Sequence, residues 1–139
     1  MDRLVYQLSD DQHHVLRMAL ENPMVVICGG PGTGKTTLIK SLATIFSKKD
    51  ARIKCAAPTG RAAKRLTEQT GFSAQTIHSL LQYDPHSRQA RYHDQNVLPC
   101  DVLIVDEVSM IDMWLMRDLV RAVSTGTRVI FVGDPNQLP

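Results

Sequence analysis

The sequence predicts an α/β domain in which a parallel sheet is flanked by helices, and three observations lead there. Short β-branched runs alternate with segments of helical period, the pattern of strand–helix–strand units joined by right-handed crossovers. Two runs, VLIV at Val102–Val105 and VIFV at Val129–Val132, are continuously apolar, as strands buried on both faces are. The 139 residues, 43% hydrophobic and 22% charged, suit one compact domain or a piece of something larger.

The elements follow in order. Ser9 to Glu21 reads as a helix, with Ser9 as N-cap, Asp10 and Asp11 in the first turn, and Asn22-Pro23 as the stop. A strand at Met24 to Cys28 leads into a helix at Thr36 to Ser47, and a strand at Ile53 to Ala57 into a helix at Arg61 to Gln69. Residues 83–99 lack apolar periodicity, are rich in His, Arg, Gln, Asp and Tyr, and contain the turn signal Asp84-Pro85. They read as a surface excursion, either a small two-stranded hairpin or a plain loop. A strand at Asp101 to Val105 then precedes a helix at Met113 to Val123, and Arg128 to Val132 is the last strand. Met110, Met113 and Met116, with Ile111, Leu115 and Leu119, fall at helical spacing and are expected to fill core.

Several classes fall away. No apolar run approaches the roughly 18 to 20 residues that cross a bilayer, and the opening MDRLVYQLSDD has no apolar signal-peptide core, so a cytoplasmic protein without a membrane partner is expected. Cys28, Cys55 and Cys100 lie far apart beside apolar residues, which suits buried, reduced thiols better than disulfides or a zinc site. His13, His14, His86 and His93 have no supporting ligand constellation, and Trp114 has little aromatic company along the chain. The net charge is +2, but residues 51–100 carry seven Lys or Arg against three acids, whereas 101–139 carry three against six. The middle section is therefore either a polyanion-facing surface or a solvated charged one.

Two motifs carry chemistry. Gly29-Gly30-Pro31-Gly32-Thr33-Gly34-Lys35-Thr36 matches the phosphate-binding loop, directly after a strand and opening a helix. Glycines let successive backbone N–H groups approach phosphate oxygens, the helix adds its positive end, Lys35 reaches the β and γ phosphates, and the Thr36 hydroxyl can ligate Mg²⁺. Thr37 completes the run as a further nucleotide contact. The second motif is the buried strand VLIV ending in Asp106 and Glu107. Adjacent acids at a strand end need neutralising; Mg²⁺ held by Asp106 does so, and Glu107 can orient and deprotonate the attacking water. Pro58-Thr59-Gly60-Arg61 and Gly133-Asp134-Pro135-Asn136-Gln137 also leave the carboxyl ends of strands, the edge where parallel α/β sheets bind ligands.

In that order the motifs resemble superfamily 1 DNA helicases, in particular the RecD-like, 5′ to 3′ branch that includes exodeoxyribonuclease V alpha subunits. LSDDQ at Leu8–Gln12 resembles the adenine-reading Q motif, GGPGTGKTT motif I, AAPTGRAAKRL at Ala56–Leu66 motif Ia, TIHSLL at Thr76–Leu81 the Thr-x-His element, VDEVSMID at Val105–Asp112 motif II, and VGDPNQLP at Val132–Pro139 motif III.

The resemblance implies a RecA-like P-loop NTPase domain spanning residues 1–139 and stopping at motif III, in a protein of DNA repair or recombination. It implies ATP and Mg²⁺ as ligands, with Gln12 on the adenine edge and Gln137 at the γ-phosphate. Gln12 also has a local alternative, since Ser9-x-x-Gln12 reads as a capping box. It further implies single-stranded DNA and duplex junctions as partners, with Pro58, Thr59, Arg61, Thr76 and His78 along the strand path. Lys64 and Arg65 can meet DNA phosphates or form an exposed helix face. In the family the excursion before motif II often holds a strand-separating hairpin, and Tyr92 in residues 83–99 can stack on a base. A second RecA-like domain carrying an arginine finger is implied in a longer chain. A non-catalytic nucleotide switch is the alternative; a small-molecule kinase lacks a recognisable acceptor pocket. No nuclease constellation is visible in the sequence.

Overall fold

The computed structural model describes residues 10–28 and 34–133. Elements are numbered in chain order: α1 (Asp10–Glu21), β1 (Met24–Cys28), α2 (Lys35–Lys48), β2 (Ile53–Ala57), α3 (Gly60–Thr70), β3 (Ala74–Thr76), α4 (Ile77–Leu80), β4 (Tyr83–Asp84), β5 (Gln89–Ala90), β6 (Val102–Val105), a 3-10 turn (Val108–Met110), α5 (Met113–Ala122) and β7 (Arg128–Gly133). Among the described residues one five-stranded sheet has the order β1-β7-β6-β2-β3, every pair parallel.

That order explains how the faces are covered. The connections β1 to β2 and β2 to β3 run one way along the sheet, and β3 to β6 and β6 to β7 run back. With right-handed crossovers the first two connections must lie on one face and the last two on the other. The core divides accordingly: Leu38, Ile39, Leu42 and Phe46 of α2 and Leu66 of α3 pack on Ile27, Ile104 and Ile130. Ile77 and Leu80 of α4 and Leu119 and Ala122 of α5 pack on Leu103, Val105 and Phe131. β6 is buried at all of its residues, as its unbroken apolar run requires.

α1 ends where Asn22 donates from its side-chain amide to the Met18 carbonyl at 2.8 Å. The Arg128 guanidinium donates to the carbonyls of Asn22 (3.1 Å) and Ala19 (3.4 Å) and lies 5.9 Å from the Phe46 ring centroid. Arg52 joins the starts of β2 and β6, donating from its backbone N–H (2.7 Å), Nε (3.3 Å) and Nη2 (3.2 Å) to the Asp101 carboxylate. The excursion folds in part as a hairpin, with Tyr83 opposite Ala90 and Asp84 opposite Gln89 in antiparallel pairing.

Three features depart from the sequence reading. Cys28 is exposed rather than buried. β1 pairs only with β7 among the described residues and alternates between exposed and buried, so Met24, Val26 and Cys28 lie on a side that no helix covers. Met110 and Met113 are exposed, Met113 at 86%, because α5 begins beyond the sheet edge and only its second half reaches the core through Leu119 and Ala122. Ile111, Leu115 and Met116 pack at the margin of that core. β3 and α4 have no counterpart in the sequence reading; three residues including the polar Gln75 are too short to declare a period.

Candidate active site

Because all strands of the five-stranded sheet run parallel, the carboxyl ends of β1, β2, β3, β6 and β7 lie on one rim. α2 starts there from Gly34, which caps it with φ 80° and ψ 16°, a left-handed conformation that a Cβ would strain. Lys35 is the first residue of α2. Asp106 follows β6, its N–H donating to the Ala56 carbonyl of β2 at 2.9 Å, so the sheet fixes its backbone. β1 and β6 are separated by β7, roughly 10 Å at two strand spacings. The long Lys35 side chain crosses that gap, and its Nζ lies 3.4 Å from Asp106 Oδ1, with the two side chains only 21% and 16% exposed.

Glu107 is held differently. Its φ of 52° and ψ of 45° are left-handed, a conformation that costs a non-glycine residue roughly 1 to 2 kcal/mol. Its N–H donates to Asp106 Oδ1 at 2.8 Å, which offsets part of that cost. Its carboxylate faces Arg65 of α3, with Nη1 at 4.0 Å from Oε1. Two cations and two carboxylates therefore meet where α2, α3 and β6 converge. Nothing in the sequence signals that Arg65 meets Glu107.

The Thr36 hydroxyl lies 3.4 Å from Gln69 Oε1, long for an O–H···O bond and therefore easily exchanged for a stronger partner. Among the described residues no group of three or more His, Cys, Asp or Glu side chains could hold a metal. Asp106 and Thr36 offer one carboxylate and one hydroxyl, a hard-oxygen set that suits Mg²⁺ completed by phosphates and water rather than a metal caged by protein. Thr37 is exposed on α2. Gly30, Pro31, Gly32, Thr33 and Gln137 lie outside the described residues, as does Ser9. Gln12 falls in the first turn of α1, and its side chain also lies outside them.

The five residues expected along a DNA strand gather after two neighbouring strands. Thr76 pairs in register with Ala57, next to Pro58. Thr59 caps α3, its hydroxyl accepting from Ala62 N–H at 3.1 Å. Thr76 caps α4 in the same way through Ser79 N–H at 3.1 Å. Both hydroxyls thus have local work, each keeping its own proton to donate. Arg61 and His78 are exposed, and the His78 ring stands edge-on to Tyr83 at 5.7 Å and 84°.

Gly133, at the end of β7, is a residue whose role becomes visible only in three dimensions. A Cβ built there would lie 2.9 Å from Val108 Cγ1, so the 3-10 turn after Glu107 sits against bare glycine backbone.

Comparisons agree with this geometry. The AAA domain family matches residues 12–139. The ATP-dependent RecD2 DNA helicase of Deinococcus radiodurans is 46% identical over 132 residues, 95% of this chain and 18% of that protein. The RecBCD enzyme subunit RecD of Mycolicibacterium smegmatis is 40% identical over 93% of this chain and 28% of its own. The chain therefore spans less than a third of the length of these curated relatives. In structure it is similar to a Bacteroides Pif1 helicase in complex with ADP-AlF3 and ssDNA, with a TM-score of 0.65 at 24% identity over 91% of this chain and 32% of that one. That likeness supports the P-loop α/β architecture.

Proposed function

Since the chain belongs to the AAA domain family, we propose that it is the ATP-binding motor domain of a longer ATP-dependent DNA helicase. In this reading the protein hydrolyses ATP and moves 5′ to 3′ on single-stranded DNA in the cytoplasm. The observation that carries the reading is the 3.4 Å approach of Lys35 to Asp106, with Glu107 hydrogen-bonded to the same aspartate oxygen. RecD2, RecD and Pif1 helicases among the similar proteins support the choice of reaction.

The residues divide the work by chemistry. Lys35 gives up its contact with Asp106 to the β and γ phosphates of the nucleotide, and the run Gly30 to Thr37 would offer them hydroxyls and the backbone N–H groups of every residue but Pro31. Asp106 and Thr36 hold Mg²⁺, which when bound supplies positive charge to the phosphate oxygens. Glu107 takes the proton of the attacking water, its carboxylate kept near the site by the left-handed backbone and by Arg65. Gln12 reads adenine and Gln137 senses the γ-phosphate, by resemblance to the family motifs. Pro58, Thr59, Arg61, Thr76 and His78 meet the DNA strand. A second RecA-like domain supplies an arginine finger worth roughly 10³ to 10⁵ in rate. This chain alone then binds Mg-ATP weakly and turns it over at a trace rate.

The test uses the longer protein. Lys35→Ala should abolish ATPase and unwinding while leaving much of the single-strand affinity, and normal unwinding by that variant would refute the assignment. Single-stranded DNA should stimulate the ATPase of the unmodified protein. Nucleotide binding without turnover, unaffected by DNA, points instead to a switch module.

A further inference from the structure

The face of α5 turned toward the β4–β5 hairpin carries side chains that neither the fold nor the nucleotide site uses. Trp114 is 72% exposed, which for the largest apolar side chain means that packing does not account for it. The Arg117 guanidinium lies 5.2 Å from its ring centroid. That cation stacks on the indole, most of which stays open to solvent. Distant in sequence from other aromatic residues, Trp114 shares a cleft of about 210 Å³ with His78 and Tyr83. Tyr83 and Asp118 also line a second, polar cleft of about 390 Å³, to which the hairpin contributes Arg88 and α5 contributes Arg121. The two clefts adjoin at Tyr83 and Asp118, a furrow with aromatic side chains at one end and cationic ones at the other.

Its acids are Asp112, Asp118 and Asp94. Asp112 caps α5 by accepting from Leu115 N–H at 2.8 Å, Asp118 lies 4.0 Å from Arg117, and Asp94 stands beside His93, whose Nδ1 accepts from Gln95 N–H at 3.1 Å. Arg88, Arg117 and Arg121 still outnumber Asp94 and Asp118 in the larger cleft. The guanidiniums of Arg88 and Arg121 make no hydrogen bond or ion pair among the described residues. Two free guanidiniums beside an open indole, a phenol and an imidazole match a chain that alternates phosphates with flat rings.

We propose that this furrow between the hairpin and α5 is a second single-stranded DNA contact, with a base stacked on Trp114 beside Tyr83 and the flanking phosphates on Arg88 and Arg121. The proposal rests on the DNA-motor reading and adds to it a surface outside the rim of β2 and β3. His78 lies where the two meet, so a strand leaving that rim enters the furrow at its aromatic end.

Trp114 is the sole tryptophan of the chain, so its fluorescence reports this surface directly. Titrating the unmodified chain with an oligothymidylate at low salt should quench that emission to saturation. An abasic strand of equal length should bind more weakly and quench less. Arg88→Ala with Arg121→Ala should lower affinity and remove about 1.4 from the slope of log affinity against log salt, at roughly 0.7 per phosphate contact. Trp114→Ala should weaken binding roughly 5- to 160-fold, the worth of one stacked base. Anisotropy of a labelled strand runs in parallel. Binding seen by anisotropy with Trp114 emission unchanged overturns the furrow and leaves the motor reading standing. No binding by either signal at low salt overturns the furrow together with DNA contact by this domain. Equal quenching by a polyglutamate peptide overturns it too, because the furrow would then be a site for any polyanion.

Discussion

Gly133→Ala is a methyl-sized probe of how the end of β7 supports the 3-10 turn after Glu107. The new Cβ would stand 2.9 Å from Val108 Cγ1, whereas carbon atoms settle at about 3.5 to 4.0 Å. Neither side can withdraw freely. Gly133 is paired in register with Cys28 of β1, and the Val108 turn is closed by Met110 N–H on the Glu107 carbonyl (3.0 Å) and Ile111 N–H on the Val108 carbonyl (3.1 Å). Forcing a methylene-sized group into such a contact costs roughly 1 to 3 kcal/mol. Reduced freedom of the unfolded chain returns about 0.4 to 1 kcal/mol. The net loss is about 0 to 2.6 kcal/mol, about 1.3 at the midpoints, which at roughly 3 °C per kcal/mol lowers Tm by about 4 °C. Urea unfolding of the single variants and of Gly133→Ala/Val108→Ala closes a double-mutant cycle. Removing Cγ1 removes the clash, so the double variant should lose about 1 kcal/mol less than the two singles together. Additivity within about 0.5 kcal/mol would show that the two residues do not press on each other and that the account is wrong.

Three further outcomes follow from contacts away from the site. The Arg52 guanidinium and backbone N–H hydrogen-bond the Asp101 carboxylate and hold its pKa below the ordinary 3.8. A depressed folded pKa contributes stability that is whole above about pH 4 and is lost as pH falls through the folded value. Asp101→Asn should therefore flatten the acid limb of a stability–pH curve below about pH 4, and an unaltered limb contradicts the pairing. Burial pushes the Cys55 thiol up to about 11 and also raises Cys100, whereas Cys28 is exposed. Iodoacetamide at pH 8 should then modify Cys28 in the native chain and spare the other two until unfolding; early labelling of Cys55, read by peptide mass, counts against the buried strand. Arg128→Ala removes the donors that close α1 and should cost about 1 kcal/mol, with faster amide exchange at Met18 to Asn22; unchanged exchange there denies Arg128 that role.

What the sequence reveals depends on how far apart the interacting residues lie. The alternation of apolar runs and helical periods is local, so the parallel sheet and most helices are readable, as is the strand–turn–helix setting of Gly34 and Lys35. The approach of Lys35 to Asp106 follows once both are assigned to the carboxyl rim of a parallel sheet. The rest depends on strand order. Cys28 is exposed because, among the described residues, β1 has only β7 beside it, and no property of MVVIC says so. Met113 fits a helical stripe, but the stripe overshoots the sheet, and Trp114, without aromatic company along the chain, finds it in Tyr83 and His78 across a cleft. Arg65 on Glu107 and Val108 on Gly133 are contacts between segments that one-dimensional periodicity cannot link.

The left-handed backbone at Glu107 separates posture from charge. In a continued strand neighbouring side chains diverge to opposite sides, and the twist at φ 52° breaks that alternation just where the acids must cooperate. An amide at this position keeps the chain length and an oxygen that can still accept from Arg65, so, on the proposed role of Glu107 as proton acceptor, Glu107→Gln should arrest turnover while keeping most of the pose. A β-branched replacement would resist the bend itself and forfeit pose and proton acceptor together. If the proposed role of Glu107 holds, Glu107→Gln is the variant expected to trap a loaded nucleotide.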